Sequence, residues 1–385
     1  MITEAAVEAT LRGVRDPELG GDVVELGMIK GIHIADETGV VTIDLALTIA
    51  ACPMRDQIEG DVVRKLTAMP GVEDVGINIT AMTQAERSRL METVRQRARE
   101  NAEPTMVGPL TRVIAVSSGK GGVGKSSVSV NLALAIADQG FRVGLLDADI
   151  WGFSVPRMLG AGDVRLEARP DDRKIEPAEA MGIQLVSTGL IVEDEGTALM
   201  WRGLMLSKAL EQFLRDVAWD SELDYLVLDM PPGTGDIQMA LSRLLPQAEM
   251  VVVTTPQKAA QRVASRVADM ARRSFMPIVG VIENMSGFTN EAGIHYPIFG
   301  SGGGQELADQ LAVPLIGSIP IDPAVATGGD DGAPVVRVRP DSPAAIEFTA
   351  AATKLVELVP PAQDETCTGR IAKIFDDLAA GNLPS

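Results

Sequence analysis

Gly119-Lys120-Gly121-Gly122-Val123-Gly124-Lys125-Ser126-Ser127 lies between Thr111 to Val116, an apolar β-rich run, and Val128 to Ala137, which reads as a helix. Strand, glycine-rich turn and helix N-terminus in that order form the setting of a phosphate loop. The glycines let successive backbone N–H groups curl round a triphosphate without Cβ clashes, and the helix start adds a favourable dipole. In this pattern Lys125 neutralises the β- and γ-phosphates and the Ser126 hydroxyl holds Mg²⁺. The chain is expected to bind a nucleoside triphosphate.

Further apolar runs follow, each ending in polar residues. Phe141 to Leu146 ends at Asp147-Ala148-Asp149, and Tyr225 to Leu228 at Asp229-Met230-Pro231-Pro232-Gly233-Thr234-Gly235-Asp236. Met250 to Val253 ends at Thr254-Thr255, and Ile278 to Ile282 at Glu283-Asn284-Met285. Polar groups gathered at the carboxyl ends of continuous apolar strands predict an α/β fold with a doubly wound, mostly parallel sheet. Asp229 stands where a Walker-B aspartate should and would hold Mg²⁺ through water. Asp149 is the preferred group to orient the attacking water. Asp147 and Asp236 are candidate switch residues that sense the γ-phosphate, although a rigid turn explains Asp236 equally well.

At 385 residues the chain exceeds one ordinary domain. Its formal net charge of −19 argues against non-specific binding to nucleic acid or anionic membrane. No apolar run reaches the ~18 residues of a membrane span, and Met1-Ile2-Thr3-Glu4 does not read as a secretory signal. With two cysteines, Cys52 and Cys367, a disulfide scaffold is not expected and the default location is a reducing cytoplasm.

Residues 1–82 read as a small α+β domain. Val7, Leu11 and Val14 recur at helical spacing, Lys30 to Ala35 and Val41 to Leu47 read as strands, and Ile58, Val62, Leu66 and Met69 line a second helix. Val72 to Thr80 makes a third strand. Cys52, just ahead of Pro53, falls near a helix start that would lower its pKa, and a small buried apolar role fits it as well. Residues 83–109 read as a charged, solvated helix followed by a hinge from Asn101 to Pro109. The nucleotide-binding domain spans 110–358 and a tail 359–385, where Ile371, Ile374, Phe375 and Leu378 share one face of a short helix.

The second lysine of the loop, Lys120, makes it resemble the deviant Walker motif of the MinD, ParA and nitrogenase iron-protein class. The resemblance implies a nucleotide-sandwich homodimer in which Lys120 reaches the partner's phosphates. Asp147-Ala148-Asp149-Ile150-Trp151-Gly152, Trp201-Arg202-Gly203, Asp229 to Asp236, Glu283-Asn284-Met285-Ser286 and Phe299-Gly300-Ser301-Gly302-Gly303-Gly304 are similar to the Mrp (ApbC-like) family. Asp16 to Gly20, Val24 to Ile29, Ala51-Cys52-Pro53 and Pro70-Gly71-Val72 resemble the small domain of iron–sulfur assembly proteins, including the SufT-like ones, in which the cysteine at the Cys52 position is implicated. These resemblances imply an ATPase that carries iron–sulfur clusters to apo-proteins, with Asn284 at the adenine. Members usually place a Cys-x-x-Cys between the last two motifs quoted for the Mrp family. Here Gly287 to Ile298 contains no cysteine, and His295 reads as an ordinary polar residue. A second reading therefore stays open: a nucleotide-gated scaffold that binds partners and carries no cluster.

Overall fold

The computed structural model describes the chain apart from residues 1, 18, 20, 36–37, 49–53, 101, 150–153, 191–202, 234 and 362–385, and apart from side chains at 203–206 and 272–273. Cys52, Trp151, Trp201, Cys367 and the tail helix expected around Ile371 to Leu378 lie outside the described residues. The chain divides into two compact units, Met1–Asn101 and Ala102–Ser385.

In the first unit, α1 (Glu4–Leu11) starts at Thr3, whose hydroxyl accepts the Ala6 N–H. Strands β1 (Ile29–Ala35) and β2 (Val40–Leu47) pair antiparallel, and α2 (Arg55–Thr67) carries the chain across to β3 (Asp74–Ala81), which joins β2 in parallel. Alternate residues Val41, Ile43 and Leu45 of β2 are fully buried, and so are Ile58, Val62 and Leu66 of α2, a period of two in the strand and a stripe at helical spacing. Helix α3 (Gln84–Glu100) begins with a capping box: the Thr83 hydroxyl accepts the Glu86 N–H, and Glu86 accepts the Thr83 N–H in return. Of this helix, Leu90 and Val94 are buried, in keeping with its charged composition.

The second unit opens with β4 (Arg112–Ser118), α4 (Lys125–Ala137), β5 (Val143–Asp147), the short α5 (Val155–Met158), β6 (Ala178–Ala180) and β7 (Ile183–Ser187). It continues through α6 (Gly203–Asp216), β8 (Tyr225–Asp229), α7 (Gly235–Leu244), β9 (Glu249–Thr254), α8 (Lys258–Arg273) and β10 (Ile278–Asn284). The small hairpin of β11 (Phe288–Thr289) and β12 (His295–Tyr296) precedes α9 (Gly303–Leu311), β13 (Leu315–Ile319), α10 (Pro323–Asp330), α11 (Val335–Val338) and α12 (Pro343–Leu358). Among the described residues one eight-stranded sheet runs β13-β10-β9-β4-β8-β5-β7-β6, parallel except for the β6–β7 pair. The fold is thus the doubly wound α/β arrangement expected, with the strand ahead of the glycine loop at its centre.

Both faces of this sheet are covered, which is why its strands read as unbroken apolar runs. Ile114, Val116, Val227 and Val251 point to the side of α4 and α12, while Val113, Ala115, Leu226 and Val252 point to the side of α6, α7 and α8. Helix α4 is buried nearly all round because α12 lies on it from outside. Residues expected as a hinge are tied down instead. Glu103 forms ion pairs with Arg215 of α6 and Arg243 of α7, Met106 donates its N–H to the Leu214 carbonyl, and Val107 is buried. No helix among the described residues is long and apolar enough to cross a membrane.

Candidate nucleotide site

The carboxyl ends of β4, β5, β8, β9 and β10 meet along one edge, and the polar residues noted in the sequence collect there. Between β4 and α4 the chain turns through Gly122 and Gly124, with φ of 79° and 76°, a left-handed conformation that favours glycine. Gly124 is constrained twice: a Cβ there would lie 2.2 Å from Nδ2 of Asn284. That amide donates to the Val123 carbonyl at 2.9 Å, so Asn284, at the end of β10, braces the loop. A Cβ on Gly119 would lie 2.4 Å from the backbone of Val263 and Ala264, so the first residue of the loop packs directly on α8.

Lys125 is buried and its Nζ lies 2.7 Å from Oδ1 of Asp229 and 3.7 Å from Oδ2 of Asp149. The Ser126 hydroxyl donates to Oδ2 of Asp229 at 2.6 Å. A second hydroxyl, that of Ser129, reaches Oδ1 of Asp229 at 2.7 Å. Asp229 is completely buried, so its charge stands on the ammonium and the two hydroxyls that surround it. Ser129 was not singled out from the sequence, although it is three residues after Ser126 and therefore on the same face of α4.

Asp147 is the register neighbour of Asp229 on the adjacent strand. Its carboxyl accepts the Asp149 N–H and the Ser187 hydroxyl, and Ser187 in turn accepts the Gly189 N–H. Burial pushes the Asp147 carboxyl well above the usual carboxylate range, and the charge of Asp229 adds to the effect while Lys125 opposes it. Ser187 ends a strand distant in sequence, and nothing local marks it. Lys120 turns its ammonium to Oε1 of Gln257 at 3.2 Å within the same chain. Asp236 is exposed in the first turn of α7.

Behind Asn284, the buried Glu283 accepts the Gly304 N–H at the start of α9 and the Ser318 hydroxyl of β13. It therefore joins three elements at the end of β10. The β11–β12 hairpin occupies the segment without cysteines. Its His295 ring meets the Thr289 hydroxyl at 3.2 Å, and Phe288 stacks on Tyr296. Among the described residues, no group of three or more His, Cys, Asp or Glu is placed to hold a metal ion by itself. Ser126 and Asp229 do present hard oxygens at the loop, the partial donor set that Mg²⁺ completes with nucleotide phosphates and water.

Residues 109–356 match the family model described as NUBPL iron-transfer P-loop NTPase, and residues 4–79 match the model described as iron-sulfur cluster assembly protein. An iron-sulfur cluster carrier protein of Mycobacterium leprae is 44% identical over 354 residues, which cover 90% of each chain. One of the same description from Deinococcus radiodurans is 44% identical over 351 residues, covering 91% of this chain and 94% of the relative. Among solved structures, a nucleotide-binding protein from Archaeoglobus fulgidus in complex with ADP is 33% identical, with a TM-score of 0.53, over 66% of this chain and 95% of that one.

Proposed function

Because the chain belongs to the NUBPL iron-transfer P-loop NTPase family, we propose that it binds and hydrolyses ATP and uses the cycle to carry iron–sulfur clusters to apo-proteins. The observation that carries the proposal is the constellation of Lys125, Ser126 and Asp229 at the end of the glycine loop. The resemblance of the N-terminal unit to iron–sulfur assembly proteins supports the cargo.

In this reading the backbone N–H groups from Gly119 to Ser127 wrap the phosphates, and Lys125 exchanges its contact with Asp229 for the β- and γ-phosphates. Ser126 and Asp229 hold Mg²⁺, which supplies charge neutralisation when bound. Asp149, beside Lys125, aligns a water with the γ-phosphorus. The water oxygen bonds to that phosphorus as the bond to the β–γ bridging oxygen breaks, leaving ADP and phosphate. Asn284 borders the adenine, and Asp147 and Asp236 follow the loss of the γ-phosphate. Lys120 leaves Gln257 to reach the nucleotide of a second copy, so that hydrolysis is coupled to a homodimer. The working location is the cytoplasm, with neither nucleic acid nor membrane as partner, and Cys52 is the residue through which the chain itself would touch a cluster.

Lys125→Ala is expected to abolish ATP turnover, read as phosphate release. Turnover at the wild-type rate would refute the site. Anaerobic reconstitution with iron and sulfide then tests the cargo: iron held by wild type and lost in Cys52→Ser supports a carrier. A cysteine-free hairpin at Gly287 to Ile298 favours the second reading, a partner-binding ATPase without a cluster. Absence of iron in both proteins would leave a nucleotide switch that serves the pathway, if at all, through its partners.

A further inference from the structure

Helix α8 carries one row of side chains at four-residue spacing, Lys258, Arg262, Arg266 and Met270, all exposed and on one face. The row is ~18 Å long at 1.5 Å per residue. Its three cations form no ion pair with any described residue, whereas Arg12, Arg55, Arg142, Arg169 and Arg243 each have an acidic partner. An unpaired basic row is conspicuous in a chain of net charge −19.

The row leads into a cavity. Arg266 and Met270 line a space of about 210 Å³ together with Gly119, Gly233, Gly235 and Gln238. Apolar cavities of ~150 Å³ accept a benzene ring, so one aromatic side chain fits here. Gln238, 3% exposed, contributes to its lining. The glycines of its lining belong to the start of the glycine loop and to the segment that follows Asp229.

We propose that this face of α8 docks an acidic segment of a partner protein, with one aromatic side chain of that segment seated in the cavity. The cations supply attraction and orientation, and the buried aromatic supplies most of the affinity. Since the seat is walled by both nucleotide-site loops, occupancy and nucleotide binding would each alter the affinity for the other by the same factor.

The test uses the full chain and fluorescein-labelled synthetic peptides read by fluorescence anisotropy. One peptide has glutamates flanking a single tryptophan, a second has alanine in place of the tryptophan, and a third has lysines in place of the glutamates. The first is expected to bind, in a salt-sensitive way, and to lose about tenfold in affinity when tryptophan becomes alanine. The triple variant Lys258→Glu, Arg262→Glu, Arg266→Glu should weaken it by at least about tenfold, with unchanged circular dichroism. Equal binding of the alanine peptide, undiminished binding to the variant, or no binding at all would overturn the proposal. So would a short DNA duplex binding as well as the peptide, or a change in oligomeric state caused by the triple substitution, since that face would then serve DNA or a second copy. None of these readouts depends on ATP hydrolysis.

Discussion

Replacing Asp147 by asparagine removes a carboxyl whose affinity for a proton the fold raises. The side chain has no solvent exposure and sits beside Asp229; burial and that neighbouring charge both raise its pKa from the ordinary 3.8. An acid with a raised pKa binds more protons folded than unfolded. Stability is therefore lost as pH climbs from the unfolded value toward the folded one, by roughly 1 kcal/mol per pH unit for one proton. Asparagine escapes that loss because it does not titrate. It can keep both local contacts: its oxygen can accept the Asp149 N–H, and its amide can donate to Ser187, whose hydroxyl now donates to Asp147. The Asp147→Asn chain should match wild type at about pH 4 and be the more stable by about pH 8. Urea unfolding followed by tryptophan fluorescence reads this, since Trp219 is buried in the same unit with its Nε1 on the Phe213 carbonyl. A gap that does not change with pH, or a variant weaker at every pH, would mean that Asp147 is ionised and acts as a counter-ion to Lys125.

Gly124→Ala puts a methyl group at a φ of 76° and against Asn284, so a loss of about 1–3 kcal/mol in stability is expected, with weakened binding of a fluorescent ATP analogue. Glu283→Gln leaves one acceptor oxygen where the carboxylate serves both Gly304 and Ser318; thermal unfolding should register a cost of about 1–3 kcal/mol. Glu86, bonded to Lys30 and Thr83, has its pKa lowered to about 2. Its contribution to the first unit is complete above the unfolded value of 4.5 and disappears as pH falls toward about 2, so thermal melts of Glu86→Gln and wild type should differ at neutral pH and converge in acid.

The fold of the second unit was legible because its strands are buried on two faces and end in polar residues, a pattern local enough to read in a single chain. Lys125, Ser126 and Asp229 were legible for the same reason: each is fixed by its place at a strand or helix end. The bonds that organise them were not. Ser187 reaches Asp147 from 40 positions along the chain, and Glu283 reaches Gly304 and Ser318 across two more elements. Such pairings depend on which strands become neighbours, and periodicity carries no information about that. Strands β6 and β7 escaped for a related reason: they are short and follow a long irregular stretch after α5. Glu103 looked like part of a hinge because proline and glycine surround it, yet two arginines distant in sequence hold it in place.

The bond from Asn284 to the Val123 carbonyl has a directional effect on the peptide group it grips. A trans peptide is planar, with its oxygen and its hydrogen on opposite sides. Pinning the oxygen toward β10 therefore turns the Gly124 N–H the other way, away from Asn284. If the loop binds a phosphate as proposed, this N–H is a donor whose orientation the fold has already fixed, and the entropy of freezing that rotation is spent in folding.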